Sequence, residues 1–114
     1  MHEMAMAESV REIVEQAARA QGAAHIRAVR LEIGALAPVD PAALRFAFEV
    51  CTRGSLAQAA RLDIVTSAGS AWCMRCAELV SVERRGDACP ACGSHQLQIS
   101  GGDALRVLDI EVMS

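Results

Sequence analysis

Apolar residues recur at helical spacing over residues 4–20. Met6, Val10, Ile13, Val14 and Ala17 share one stripe, and Glu8, Arg11, Glu12, Glu15 and Arg19 lie opposite. This pattern predicts an amphipathic helix ended by Gly22, with Glu15 and Arg19 oriented for an i,i+4 ion pair. The period then shortens to two. Over residues 25–33, Arg27, Val29, Leu31 and Ile33 fall on one side and Ala28, Arg30 and Glu32 on the other, a strand with one buried face closed by Gly34. Asp40-Pro41 announces a second helix, with Asp40 at the N-cap and Pro41 in the first helical position, running to about Arg53 before Gly54. Leu44, Ala47, Phe48 and Cys51 share a face of it, whereas Phe46 and Val50 lie well round from that face. Short strands are expected over 60–66, around Leu62 and Ile64, and over 105–112, where Leu108, Ile110 and Val112 oppose Asp109 and Glu111.

The order helix, strand, helix, strand, insert, strand predicts a small α/β layer of three strands and two helices, with a cysteine-rich module inserted before the last strand. Ala68-Gly69-Ser70 and Ser100-Gly101-Gly102 bound the insert and read as flexible by composition. The expected division is residues 1–69 with 101–114 as one domain and residues 70–100 as the other.

The insert carries the clearest chemistry. Cys73-Met-Arg-Cys76 and Cys89-Pro-Ala-Cys92 stand twelve residues apart. Each CxxC turn brings two thiolates close enough to share an ion, and the two turns together supply a tetrahedral S4 shell of the zinc-ribbon kind. Soft sulfur in that geometry selects zinc, or iron in a rubredoxin-like site; two disulfides are the structural alternative. Ligating thiols and an odd fifth cysteine, Cys51, fit a reducing cytoplasm better than an exported disulfide scaffold. Cys51 reads as a core residue and His25 as the start of a strand.

Composition narrows the partners. Net charge is −3, all eleven basic residues are arginine, and Arg84-Arg85 is the only adjacent basic pair. With one Trp, two Phe and no Tyr, the chain lacks the cationic surface and stacking platforms on which nucleic-acid binding relies. A zinc-ribbon adaptor for nucleic acid or protein is therefore the second reading. No apolar run reaches the ~18 residues of a membrane span, and no secretory signal is visible. No nucleophile–base pair, phosphate loop or paired carboxylate motif points to an enzyme.

Met1-His2-Glu3 has a bland explanation, since a terminal histidine is most often simply solvated. Its chemistry is nonetheless distinctive, because imidazole, α-amine and the intervening amides can converge on one ion, and flat nitrogen donors suit Ni(II) or Cu(II). The Met-His-Glu start, Leu31-Glu32-Ile33-Gly34, Pro38-Val39-Asp40-Pro41 leading into Leu44-Arg45-Phe46-Ala47-Phe48-Glu49, and the paired CxxC motifs together resemble the HypA family, which includes HybF. The resemblance spans essentially the whole chain. It implies a two-domain metallochaperone that supplies nickel during maturation of [NiFe]-hydrogenase, and in some organisms urease. It further implies structural zinc on Cys73, Cys76, Cys89 and Cys92, and transient nickel on the His2 imidazole and the backbone nitrogens of Met1, His2 and Glu3. The implied partners are the GTPase HypB and the hydrogenase large subunit. His95 matches a position where some members carry a histidine able to join the nickel shell, and Asp40 is a family-matched acid that its sequence context already explains as a helix cap.

Overall fold

Residues 2–114 are described in this computed structural model. The elements run α1 (His2–Ala20), β1 (His25–Gly34), α2 (Pro41–Cys51), β2 (Arg61–Ser67), β3 (Gly69–Cys73), β4 (Glu78–Val82), β5 (Leu97–Gly101) and β6 (Leu105–Met113). They build two three-stranded sheets, ordered β2-β1-β6 and β4-β3-β5. The α/β class, the two helices and the first sheet are as the pattern predicts. The insert is more regular than a hairpin, because three strands of five residues each give it a sheet of its own. No helix among the described residues is long and apolar enough to cross a membrane.

Two compact units are formed. One takes the residues up to Leu31 with Val39–Ile64 and Val107–Ser114; the other takes Glu32–Pro38 and Val65–Arg106.

In the first unit, α1 begins at His2 rather than at residue 4. Its first turn gains Glu3, a carboxylate at the positive end of the helix dipole, which also accepts a hydrogen bond from the Asp40 backbone N–H at 3.3 Å. The buried stripe is Ala7, Val10, Val14 and Ala18, a correction to the expected one: Ile13 is 53% exposed and Ala17 faces solvent. α1 and α2 pack against each other, and the small side chains of the buried stripe suit a close helix contact. Arg11 Nη1 fastens the pair by donating to the Cys51 carbonyl, one of the last of α2, at 3.1 Å. Glu15 and Arg19 do pair, at 3.0 Å.

α2 starts as its sequence dictates, with Asp40 Oδ1 accepting from the Ala42 N–H at 3.0 Å. It stops at Cys51, short of Arg53, with Thr52 at the C-cap, whose N–H and hydroxyl both donate to the Phe48 carbonyl, at 3.1 and 2.7 Å. Leu44, Ala47 and Phe48 are buried, whereas Phe46 is 66% exposed. β1 contributes Ile26, Val29 and Leu31 to the core. Ala28 is buried too and Arg27 is exposed, a correction to the single buried face expected: both faces of β1 are partly covered, and Arg30 Nε donates to Asp109 at 3.1 Å.

The second unit has a small core of Leu36, Ala71 and Val82, against which Val80, Leu97 and Ile99 are half-buried. β3 lies between antiparallel neighbours, with Cys73 opposite Glu78 on β4 and opposite Leu97 on β5. The glycines read as flexible boundaries serve close packing instead. A side chain on Gly69 would strike Leu36 and the Val82 carbonyl, and one on Gly102 would fall inside the backbone of Ala68 and Gly69. Gly102 also holds φ at +73° and accepts from the Leu36 N–H at 2.8 Å. Gly102→Ala is therefore expected to lose about 2 kcal/mol or more of stability, from strain and overpacking together. Denaturant unfolding followed by the fluorescence of Trp72, the only tryptophan, measures this. A loss below about 0.5 kcal/mol would show that the backbone adapts freely.

Candidate metal centre

Two reciprocal turns converge at one end of the β4-β3-β5 sheet. The first begins where β3 ends: Cys76 N–H donates to the Cys73 sulfur at 3.3 Å, and Ala77 N–H to the Cys73 carbonyl at 2.8 Å. Ala77 takes the left-handed conformation, φ +55°, to close this turn. The second repeats the plan, with Gly93 N–H donating to the Cys89 carbonyl at 2.8 Å and Gly93 at φ +76°, a value that glycine adopts without strain. Cys89 N–H then bonds back to the Ser94 carbonyl at 2.7 Å. The small residues Gly93 and Ser94 thus let the chain curl round the sulfur.

All four ligand sulfurs lie within 4.8 Å of one another, and they are the only such cluster among the described residues. Cys73 and Cys92 approach to 3.7 Å, and Cys76 and Cys89 to 3.9 Å. Zinc–sulfur bonds of about 2.3 Å in a regular tetrahedron imply sulfur–sulfur edges of about 3.8 Å. The donor set and its spacing therefore fit a tetrahedral thiophilic ion. None of the five cysteines is joined in a disulfide.

Crowding splits the thiols electrostatically. Hydrogen bonds to the neighbouring sulfurs of Cys92 and Cys73 hold the Cys76 proton, pushing that thiol up to about 12. Burial pushes Cys89 up as well, but the backbone N–H groups of Cys92 and Ala91 outweigh it and bring Cys89 down to about 7. Cys89 is therefore the readier of the two to give up its proton, and Cys76 the more reluctant. Cys51 lies apart on α2, its thiol raised chiefly by burial.

The other expected site residues are placed as follows. His2 is the exposed first residue of α1, and Glu3 is half-buried beside it. Both border a cavity of about 300 Å³ with Met4 and with Ala43, Phe46 and Ala47 of α2. Met1 lies outside the described residues. Asp40 serves the α2 cap, and the Glu3 carboxylate is engaged by the Asp40 N–H. That link, joining residues 37 positions apart, had no signal in the sequence pattern. His95 is exposed three residues after Cys92 and borders a separate cavity of about 130 Å³.

A two-helix α/β unit combined with a four-thiol ribbon defines a small metal-handling protein. A family model described as "Hydrogenase/urease nickel incorporation, metallochaperone, hypA" matches residues 1–112. The chain is 53% identical over 112 residues to the hydrogenase maturation factor HypA of Azotobacter vinelandii, covering 98% of this chain and 99% of that protein. It is 49% identical, over the same shares, to the protein of that description from Dechloromonas aromatica. The solution structure of the Ni metallochaperone HypA from Helicobacter pylori superimposes with a TM-score of 0.73 at 26% identity, covering 98% of this chain and 97% of that one. The chain belongs to the HypA family, the nickel metallochaperones of hydrogenase maturation.

Replacing Cys73 by Ser is expected to reduce bound metal well below one ion per chain and to change Trp72 fluorescence, while the helical signal of the first unit persists. Full metal content in this variant would remove Cys73 from the shell. Because the Cys76 proton must leave before the fourth bond forms, zinc affinity should rise with pH, by about tenfold or more between pH 6 and 8. Competition with a chelator of known pH response measures it, and a flat profile would contradict ligation by four thiolates.

Proposed function

We propose that the two metal roles are divided. Zinc is held by Cys73, Cys76, Cys89 and Cys92 as a structural ion in a zinc-binding domain over residues 70–100, and nickel is carried as cargo by the N-terminal domain, residues 1–69 with 101–114. Four thiolates saturate zinc and leave no open position, so an exchangeable ion needs other donors. The observation that carries this reading is the position of His2 and Glu3 in the first turn of α1. The first amides of a helix have no intrahelical acceptor, so their nitrogens can turn to a metal without breaking a helical bond. The His2 imidazole, the α-amine of Met1 and the amide nitrogens of His2 and Glu3 then form a flat nitrogen set suited to Ni(II). The Glu3 carboxylate positions the turn through Asp40.

In this reading the protein is a cytoplasmic carrier without catalytic activity of its own. It receives or passes nickel in company with the GTPase HypB and delivers it to the large subunit of [NiFe]-hydrogenase, with urease as the alternative recipient. Nitrogen donors bind reversibly because protons compete for them near neutrality. That reversibility is what a carrier requires and a structural site avoids.

His2→Ala is expected to abolish nickel binding and leave zinc content unchanged; loss of both metals, or of neither, would end the separate-site reading. A residue added before Met1 converts the α-amine to an amide while leaving His2 in place. The extended protein should be folded and zinc-replete, with nickel affinity reduced about a hundredfold or more. Normal nickel affinity in that form, measured by calorimetry, would show that side chains alone hold the ion. On acidification nickel should leave before zinc, and metal analysis across a pH series reads the order directly.

A further inference from the structure

The β4-β3-β5 sheet is only partly covered on its inner face. Leu36 packs against Ala71 and Val82, while Leu97 and Ile99 remain half-buried. Beside Val82, Leu97 and Ile99 opens a cavity of about 130 Å³ whose rim carries Arg84, Arg85 and His95. The family resemblance ties only His95 of these residues to a metal; Arg84, Arg85 and the apolar floor serve neither metal role.

The rim is built by local bonds. Asp87 N–H donates to the Arg84 carbonyl at 3.2 Å, and the Asp87 carboxylate accepts from the N–H groups of Glu83 and Arg84 at 3.2 and 3.0 Å. Gly86, at φ +91°, closes this turn. The one acidic side chain at the cavity therefore has an oxygen committed to backbone. Arg85 Nε donates to the Leu36 carbonyl at 3.2 Å, which pins the guanidinium beside the small core and leaves its outer nitrogens free. Arg84 enters no salt bridge among the described residues.

An apolar floor beneath a forked cationic rim asks for an apolar side chain with a carboxylate close to its root. An internal Asp or Glu places charge at the tip and would leave the floor unfilled. A C-terminal residue carries both parts on one Cα, and the volume admits one aliphatic side chain rather than a helix face. We propose that this cavity recognises the apolar C-terminal residue of a partner polypeptide. Its α-carboxylate pairs with Arg84 and Arg85, and its side chain settles against Val82, Leu97 and Ile99. The site is independent of where nickel binds.

The test titrates the zinc-loaded full chain, labelled with nitrogen-15, with N-acetyl-leucine, with N-acetyl-leucinamide and with acetate. N-acetyl-leucine should shift the amides of Arg84, Arg85 and His95 saturably in the millimolar range. The neutral amide and acetate should each bind about tenfold more weakly, since one lacks the charge and the other the side chain. Arg84→Ala, which keeps the backbone bonds of the turn, should weaken N-acetyl-leucine by about tenfold with zinc retained, and Arg84→Lys should fall between. Four results would overturn the proposal: no saturable shift, equal binding of acid and amide, acetate binding as tightly as N-acetyl-leucine, or an Arg84→Ala variant that binds like the parent.

Discussion

Four sulfurs gathered within 4.8 Å constitute an arrangement whose full set of negative charges a cation would balance. Hydrogen bonds within the cluster spread the thiols apart: those to Cys92 and Cys73 push Cys76 up to about 12, while the N–H groups of Cys92 and Ala91 outweigh burial and bring Cys89 down to about 7. The rest of the second unit hangs on that arrangement. Its core cluster is Leu36, Ala71 and Val82, too little by itself to offset a backbone ordering cost of ~1–2 kcal/mol per residue. The cross-links made by the cluster are long-range: Cys73 and Cys92 are nineteen residues apart, and Cys76 and Cys89 thirteen. A shared ion would close both loops at once and fix β3 against the segment leading into β5.

Much of this was legible in the sequence because the features are local. A CxxC turn, an Asp-Pro helix start and a period-two strand each declare themselves within a few residues, and the four cysteines, α2 and β1 stand where the pattern placed them. What stayed hidden depends on partners distant in sequence. The face that α1 buries depends on what packs against it, α2 among its partners, and it holds Ala7 and Ala18 rather than Ile13 and Ala17. The ribbon strands are five residues long, shorter than a window in which alternation can be read. Glycines at the insert's boundaries look alike whether they confer freedom or close contact, and only their neighbours, Leu36 and Ala68 among them, distinguish the two.

The two proposed metals ask opposite things of the chain. A saturated sulfur shell built from two interlocked turns is closed to exchange, and its half-buried and buried ligands have no spare position for an incoming donor. A helix start that presents unpaired amides costs little to rearrange and is accessible from solvent. Placing permanence in one element and lability in another removes the conflict between holding an ion and surrendering it.

The bond between Glu3 and the Asp40 N–H ties the first turn of α1 to the residue that caps α2. Position 3 thereby answers to the neighbouring helix whether or not an ion is present. A neutral glutamine there would preserve an acceptor of the same reach while deleting a charge, whereas alanine would release the turn as well. Any phenotype of an alanine at this position is accordingly a sum of two effects, one mechanical and one electrostatic, and only the isosteric pair separates them.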